Sequence, residues 1–516
     1  MQHGIGLRDF FKIACHHSEW LGCRFLFLPA YSIYWFSIKT RHSDSVKTSQ
    51  NTNHSRKPHF RGPLTLGLGA RANPFASGKT APPRRRRIQI FPFKNSMQIH
   101  YTKAMNEQIK SELFSYIKES KNQMVQLESL LTSHPALAPE NGGQGEIEKA
   151  KALVEWLKAQ GVKDSQIEEF DAPDSRVKSG IRPNIVVTIP GEKDDYNIWV
   201  MAHLDVVPVG NLKLWNTDPW RVTEKDGKIY GRGVEDNQQG LVSGVFAGLS
   251  FIKKNVKPAH TVKLLFMADE EVGSAYGMIW LLHNTKIFKK NDIYLIPDGG
   301  DKNGETIEIA EKNILWLKIT VKGKQCHGSR PDQGNNACLA ACDLSIRLNA
   351  MQNTFNRKNP LFSPDYSTFQ PTMRFANVEG VNIIPGEDTF CMDCRILPCY
   401  TIAEVLKETE NQIAETEKLY NVKISYEIIQ KSESPATPEN AAVVTKLKAA
   451  IKAAHGIEAR TIGIGGGTVG AELRREGMDC VVWSTMDELA HMPNEYCIVE
   501  NIIKDALTLA ELFCQK

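Results

Sequence analysis

Apolar segments that end in acidic or histidine residues recur along this chain, and they restrict its fold more than any other feature. The segments "NIVVTIPG", "NIWVMAHLDVV", "TVKLLFMAD" and "DIYLIPDGG" are apolar at most positions. Helical segments such as "NQQGLVSGVFAGLSFIKK" lie among them. Strands that are apolar on both faces and alternate with helices are typical of a largely parallel sheet covered on both sides. The sequence therefore predicts an α/β fold.

The order of segments changes between about residues 314 and 429. Strand, helix, strand, strand, helix and strand follow one another there, which is the order of a ferredoxin-like α+β unit. The strand and helix alternation then resumes and continues to the C-terminus. We therefore predict one α/β domain, formed by residues 97–312 and 431–516, interrupted by an α+β insert over 313–430.

Residues 1–96 differ in charge from the rest of the chain. They carry 16 Lys and Arg against 3 Asp and Glu, whereas the remainder carries 47 against 56. This segment could contain a signal or a membrane anchor, and Arg84 to Arg87 could contact nucleic acid. A solvated run of charges is the commoner explanation of such a segment. We expect a basic leader that is disordered or not normally translated, and neither nucleic acid nor membrane as a partner.

Composition and cysteine spacing indicate a cytoplasmic protein. The chain is 41% apolar and 24% charged, which is typical of soluble globular domains. Its 11 cysteines are scattered, and the C-x-x-C of Cys391 and Cys394 has no second pair to complete a zinc site. Reduced thiols are the default for such a pattern, and they favour a cytoplasmic location.

The first apolar strand with chemical groups at its end is "MAHLDVV". His203 and Asp205 lie two positions apart there. In an extended chain such residues share a face, so that Asp205 can orient the ring of His203. A histidine oriented by a carboxylate is a frequent metal ligand.

Four further segment ends carry acids or a histidine, and each has an ordinary alternative explanation. Asp236 could cap the helix that follows it, and the run from Asp269 to Glu271 could be a solvated turn. Asp298 ends another apolar strand, and His491 could be an ordinary loop histidine. Together, however, these groups form a nitrogen and oxygen donor set suited to zinc. Their number indicates two metal ions about 3.5–4 Å apart that share one carboxylate.

The order of these motifs resembles a known family. The segments "MAHLDVVPVG", "DGKIYGRGVEDNQQG", "ADEEVGS", "PDGG", "HGSRP" and "AHMPNE" are similar to those of the M20 family of metallopeptidases, which includes aminoacylases, desuccinylases, carboxypeptidases and dipeptidases. The resemblance extends from about Met105 to the C-terminus. It implies a zinc-exopeptidase-like, mostly parallel sheet with helices on both faces, interrupted by a ferredoxin-like lid that also serves for dimerisation.

The resemblance also implies a role for each residue of the metal centre. Asp236 would bridge two zinc ions, which Co²⁺ or Mn²⁺ could replace. One ion would also be bound by His203 and Asp298, and the other by Glu271 and His491. Glu270 would be the general base, Asp205 would support His203, and the peptide bond after Asp236 would be cis. Asp269 has no assigned role.

Further residues are implied in substrate binding. His327 in "GKQCHGSRP" would stabilise the oxyanion, usually in the active site of a partner subunit, so that a homodimer through the lid is expected. Asn382 and Arg395 would hold a substrate carboxylate. The glycine-rich loop with Gly466, Gly467 and Thr468 would contact the substrate, and it lacks the Lys-Ser/Thr ending of a nucleotide loop.

These expectations predict a dinuclear zinc hydrolase that cleaves an amide bond in a small peptide-like substrate. Relatives with Asp at the position of Asp298 tend to be dipeptidases or aminopeptidases, which favours a dipeptidase or related exopeptidase. The alternative enzyme is an N-acyl-amino-acid hydrolase, such as a deacetylase or a succinyl-diaminopimelate desuccinylase. A binding protein on an inactive hydrolase fold is a third reading, disfavoured because every expected ligand is present. The segment "DNQQG" departs from the "DxKG" of many relatives, but the missing Lys is not a ligand.

Overall fold

The computed structural model of the chain describes residues 107–516, and the leader predicted over residues 1–96 lies outside this part. The described helices cover residues 107–119 (α1), Lys121–Thr132 (α2), Ile147–Ala159 (α3), Gln239–Lys254 (α4), Met278–Asn284 (α5), Ala337–Asn349 (α6), Ile402–Tyr420 (α7), Ala442–His455 (α8), Gly470–Arg475 (α9) and Val499–Cys514 (α10). Within this part of the chain, every helix is too short or too polar to cross a bilayer.

The strands form one large sheet and three smaller ones. They cover Ile167–Pro173 (β1), Ile181–Ile189 (β2), Lys193–His203 (β3), Thr223–Lys225 (β4), Lys228–Tyr230 (β5), His260–Met267 (β6), Ile293–Asp301 (β7), Thr306–Glu311 (β8), Asn313–Lys322 (β9), Cys326–His327 (β10), Thr368–Arg374 (β11), Ile383–Ile384 (β12), Glu387–Ile396 (β13), Lys423–Ser432 (β14), Arg460–Ile464 (β15), Cys480–Thr485 (β16) and Tyr496–Ile498 (β17).

The large sheet confirms the predicted α/β class. Its eight strands lie in the order β1-β2-β6-β3-β7-β16-β8-β15. The central pairs β6/β3, β3/β7 and β7/β16 are parallel, as is β8/β15. Antiparallel pairs join β1 to β2, β2 to β6 and β16 to β8. The carboxyl ends of β3, β6 and β7 therefore meet at one edge of the sheet, because parallel neighbours end on the same side.

Helices cover both faces of this sheet, as the uninterrupted apolar strands predict. Along β3, Val200 packs in one core cluster, whereas Trp199 and Met201 pack in another. The first cluster contains the apolar faces of α4 and α10, and the second contains residues of α5 and α9. Because successive side chains of a strand point to opposite faces, both faces of β3 are buried.

The predicted β-α-β-β-α-β order is present between Asn313 and Ser432. It forms a four-stranded antiparallel sheet in the order β11-β13-β9-β14, with α6 and α7 contributing to one core. This is the strand arrangement of a ferredoxin-like unit. The domain boundaries at 312/313 and 430/431 stay predictions.

A small sheet joins two loops that matter for the site. Strand β5 pairs with β4 and with β17, which is distant in the chain. The start of the loop after β5 therefore lies beside the end of the loop before β17. These loops carry Asp236 and His491, respectively.

Candidate dinuclear metal centre

His203 ends β3, where it is buried and faces two carboxylates. Its Nδ1 lies 2.9 Å from the carbonyl oxygen of Asp205, which can only accept a hydrogen bond, so Nδ1 carries the hydrogen. Nε2 lies 3.0 Å from Asp236 Oδ1 and 3.7 Å from Asp298 Oδ1. In the neutral ring, Nε2 presents a lone pair to these oxygens, an arrangement that a cation between them would stabilise.

Asp205 supports the site differently from its predicted role. Its carboxylate is 3.4 Å from His203 Nδ1, whereas its backbone carbonyl makes the shorter contact with the ring. The two carboxylate oxygens accept the backbone N–H groups of Glu270 and Glu271, both at 3.0 Å. Asp205 therefore connects the end of β3 to the acidic turn after β6.

Asp236 lies between the two histidines. Its Oδ1 faces His203, and its Oδ2 is 3.3 Å from His491 Nε2. The Asp236–Asn237 peptide bond is cis, as the resemblance implies. Helix α4 begins after Gln238 with no side-chain cap, so the alternative of Asp236 as an N-cap is wrong. One carboxylate that faces two imidazoles has the placement of a bridging ligand.

The consecutive acids after β6 point in different directions because the backbone turns sharply there. Asp269 adopts a left-handed conformation with φ of 69°, and a short 3-10 turn begins at Glu270. Glu271 Oε2 lies 3.0 Å from His491 Nε2, whereas Glu271 Oε1 is buried without a hydrogen-bond partner among the described residues. A buried carboxylate oxygen without a partner is costly unless a cation or water binds it.

Asp298 follows the buried part of β7 and is held by the residue next to Asp236. Asn237 Nδ2 donates to Asp298 Oδ1 at 2.6 Å and to the carbonyl of Pro297 at 2.7 Å. Two positions further, Gln239 donates to Ser484 Oγ and to the carbonyl of Thr485. The amides of "DNQQG" therefore tie the start of α4 to β7 and β16.

The crowding of charges shifts the ionisation of the whole site. Burial and the Asp298 carboxylate raise the pKa of Glu270 well above its usual value, and burial also raises the pKa of Glu271 to about 7. The carboxylates of Asp236 and Glu271 raise the pKa of His491 to about 10. Although burial opposes it, the two histidines lower the pKa of Asp236. The directions of these shifts follow from burial and from the close approach of carboxylates to one another and to the two imidazoles.

The donor set fits metal ions. Ligand atoms of His203, Glu270 and Asp298 lie within 4.8 Å of one another, as do those of His203, Asp236 and Glu271. His491 adds a nitrogen within 3.3 Å of both Asp236 and Glu271. Two imidazoles and several carboxylates at this spacing suit zinc. The structure therefore brings together all five predicted ligands, and it places Glu270 beside them.

A cleft of about 690 Å³ opens beside this centre. It lies between the large sheet and the four-stranded sheet of β9, β11, β13 and β14, which we call the β9–β14 sheet. Its lining includes Glu270, Glu271 and His491, together with Trp316, Arg395, Gly467 and Thr468. The Arg395 guanidinium donates to both carboxylate oxygens of Asp393 and to the carbonyl of Gly465. Gly466 is exposed next to Gly467. The structure thus places Arg395 and the glycine-rich loop on the wall of the cleft.

His327 and Asn382 do not line this cleft. His327 lies on the short β10/β12 ladder, and Asn382 comes directly before β12, where its carbonyl accepts the N–H of Gly328 at 2.6 Å. His327 Nδ1 accepts the N–H of Ser329 at 3.1 Å. Both side chains therefore belong to an exposed projection of the β9–β14 sheet rather than to the metal centre of the same chain.

Several buried groups behind the site carried no predicted role. Arg182 pairs with Glu146 and lies 3.1 Å from Asp269, which also accepts the N–H of Tyr276. Asp269, unassigned from the sequence, thus stabilises the turn that carries Glu270. Residue type alone does not reveal a role for Glu235 or Glu495, because an acid near a glycine or at the end of a motif is usually solvated. Their burial is visible only in the structure.

Sequence comparisons identify relatives across most of the chain. The sequence profile of peptidase family M20/M25/M40 matches residues 199–515. An uncharacterized metallohydrolase of Methanocaldococcus jannaschii is 42% identical over 407 residues, which are 75% of this chain and 97% of that protein. A succinyl-diaminopimelate desuccinylase of Cupriavidus pinatubonensis is 30% identical over 221 residues, 42% of this chain and 56% of that protein.

The fold also matches solved structures. The dipeptidase Dug1p of Saccharomyces cerevisiae superposes with a TM-score of 0.61 at 16% identity, covering 78% of this chain and 98% of that one. At this identity the likeness concerns the fold alone. The long match to the metallohydrolase and the profile match over most of the described residues confirm the resemblance seen in the motifs. The chain therefore belongs to peptidase family M20/M25/M40, whose members are metal-dependent hydrolases of amide bonds.

Proposed function

We propose that this protein is a dinuclear zinc hydrolase that acts as a dipeptidase or a related exopeptidase. The observation that carries the proposal is the placement of Asp236, whose two oxygens face His203 on one side and His491 on the other. Asp298 completes the donor set at His203, and Glu271 completes it at His491. With Asp236 shared between them, each ion would also be bound by one imidazole and one further carboxylate. Co²⁺ or Mn²⁺ could occupy the same donors.

The residues of the chain supply the proton transfer. Two bound zinc ions would lower the pKa of a coordinated water and polarise the scissile carbonyl. Glu270 lines the cleft beside the ligands, so that its carboxylate can accept the proton of that water and return it to the leaving amine. Asp205 fixes the backbone of Glu270, which limits the positions its carboxylate can take.

The substrate is proposed from the ligand at Asp298 and from the cleft. Asp at this position is the choice of dipeptidases and aminopeptidases in the family that the motifs resemble. Arg395 offers a cation for a substrate carboxylate, although Asp393 already neutralises it in part. A substrate with one free carboxylate suits such a wall. The desuccinylase relative keeps an N-acyl-amino-acid hydrolase as the second candidate.

A substrate panel tests the proposal. The purified protein, supplied with zinc, cobalt or manganese in turn, is incubated with dipeptides, acetylated and succinylated amino acids. We expect metal-dependent hydrolysis of dipeptides and little of the acylated substrates. Hydrolysis of acyl-amino acids alone would favour the second candidate. Metal binding without turnover of any of these compounds would contradict both, and would favour a non-catalytic binding protein on this fold.

We also propose a homodimer formed through the β9–β14 sheet and its helices. Leu339 and Ile346 on α6 are 54% and 70% exposed, and Met373 on β11 is 55% exposed. Large apolar side chains at such exposure on one unit are typical of an interface. A second copy docked there would also give His327 and Asn382 a partner site to reach.

A cytoplasmic location is the remaining part of the proposal. The nine cysteines of residues 107–516 are all free thiols. Free thiols on this scale are typical of a reducing compartment.

A further inference from the structure

Two loops carry ligands of the metal centre, and neither is a regular helix or strand at its ligand. The first ligand loop comprises residues 231–238 and carries Asp236, and the second ligand loop comprises residues 486–495 and carries His491. Each loop contributes one buried carboxylate that binds the backbone of the other loop. Glu495 reaches from the second loop into the first, and Glu235 reaches from the first into the second.

Glu495 gathers the first ligand loop around its carboxylate. It is fully buried, and its Oε1 accepts the N–H groups of Glu235 at 3.0 Å and Asp236 at 3.2 Å. Its Oε2 accepts the N–H of Gly233 at 3.0 Å and a guanidinium N–H of Arg232 at 2.6 Å. Four donors around one buried carboxylate offset the cost of removing its charge from water. The backbone of the bridging ligand is thereby fixed.

Glu235 performs the converse task. It is buried, its Oε1 accepts the N–H of Asp487 at 2.8 Å, and its Oε2 accepts the N–H of Leu489. Other contacts hold the flanks of the second loop, where the Tyr496 hydroxyl donates to Asp487 Oδ2. Among residues 488–490 of the described structure, Leu489 is the one whose backbone is hydrogen-bonded to a different loop. Its N–H donates to the Glu235 side chain.

The second ligand loop needs such support because its backbone is unusual. Glu488 and His491 both have positive φ, at 59° and 65°. Residues other than glycine adopt this conformation at an energetic cost and keep it where the surroundings enforce it. Without Glu235, the loop would relax toward other conformations, and the ring of His491, which is exposed to solvent, would move with it.

We propose that Glu235 and Glu495 act as reciprocal positioning residues, which set the separation of Asp236 and His491 and thereby the affinity of the centre for its second metal ion. This inference rests on the proposed dinuclear function. Neither residue lines the cleft, and their side chains bind backbone N–H groups and Arg232 rather than the side chains of the ligands. Each acts through the backbone of the loop that carries a ligand.

The test compares Glu235→Gln and Glu495→Gln with the wild type and with Asp292→Asn. The amide keeps the size of the side chain but turns an N–H donor toward a backbone N–H. Asp292 is the matched control, since it is also buried and accepts N–H groups of Asn197 and Trp199 just before the start of β7, whereas the ligand Asp298 lies near the end of that strand. Zinc affinity is measured by chelator competition, and the Co²⁺ absorption spectrum reports ligand geometry.

The expected results distinguish the two sites. Asp292→Asn binds two zinc ions, each with the same affinity as the corresponding site of the wild type. In Glu235→Gln, the site that includes His491 binds roughly 10- to 100-fold more weakly and its Co²⁺ spectrum changes, while the other site is retained. In Glu495→Gln both sites weaken, because Asp236 serves both. Should Glu495→Gln fail to fold, Glu235→Gln decides the question alone.

Other outcomes would overturn the inference. Wild-type affinity and spectra in Glu235→Gln would show that Glu235 does not position the ligand. An equal loss in Asp292→Asn would show that any buried carboxylate has this effect through general stability. A wild type that binds no zinc would contradict the proposed function and this inference together. A wild type that binds two ions but hydrolyses none of the panel substrates would contradict the function alone.

Discussion

At the scale of single residues, three adjacent acids have three different environments. Asp269 is buried against Arg182, Glu271 faces His491, and Glu270 lies beside His203 and Asp298. The left-handed backbone at Asp269 separates their directions. Like charges that would repel on one surface are therefore directed to a cation of the chain, to one metal position and to the cleft.

Replacing Glu270 separates catalysis from metal binding. In Glu270→Ala we expect kcat to fall by about 10²- to 10⁴-fold, because the group proposed to accept the water's proton is lost. About two zinc ions per chain are retained, since all five predicted ligands remain. Steady-state kinetics and metal analysis of the same sample check both statements. Glu271→Ala is the contrasting variant and loses one ion. Loss of an ion from Glu270→Ala would instead make Glu270 a ligand.

At the scale of elements, the start of α4 is packed directly onto β7. A Cβ at Gly240 would lie 2.3 Å from the carbonyl oxygen of Pro297, the residue before Asp298. Side chains from the same helix start, Asn237 and Gln239, bind β7 and the end of β16. The close approach at Gly240 is therefore what allows these amides to reach their partners.

The substitution Gly240→Ala tests this approach. Alanine would gain up to about 1 kcal/mol of helix propensity, but forcing a methyl group against a buried backbone oxygen costs about 1–3 kcal/mol. We expect a net loss of stability, measured as a lower midpoint of urea unfolding. Gly465→Ala is the control, because a Cβ there has no neighbour within 4 Å. Equal midpoints for the two variants would contradict the packing argument.

At the scale of the whole molecule, the metal centre and His327 are separate within one chain. The cleft beside the centre lies between the two sheets, whereas the β10/β12 ladder is an exposed projection. The exposed apolar residues of α6 lie on the same unit as this ladder. Dimerisation through that unit would supply a cleft with a histidine from its partner.

Mixing two inactive variants tests this arrangement. Glu270→Ala and His327→Ala chains are each expected to be nearly inactive, since one lacks the proposed base and the other lacks the group proposed to stabilise the oxyanion. When subunits exchange at random, half of the dimers are mixed, and one of their two sites is intact, so about a quarter of wild-type activity should return. His327→Ala mixed with itself is the control. If mass spectrometry verifies that mixed dimers have formed and no activity returns, the proposed role of His327 in the partner's site is contradicted.

Residue patterns alone predicted the α/β class and the β-α-β-β-α-β insert, because apolar periodicity and segment order are visible in the sequence. Acids and histidines at segment ends indicated a metal site, and the resemblance to the M20 motifs then selected the five candidate ligands among them. Asp205 was predicted to orient His203 with its carboxylate, yet it does so mainly with its carbonyl. That difference depends on backbone direction, which residue types do not encode.

The tertiary structure decided what lies behind the ligands. Glu235 and Glu495 are ordinary acids in the printed sequence. Only their burial, and the backbone N–H groups that each accepts from the other's loop, reveal the link between two loops more than 200 residues apart. Contacts of this kind depend on long-range packing, which brings together segments that no local pattern relates. The sequence by itself therefore determined which groups could bind metal, and the fold decided how they are held.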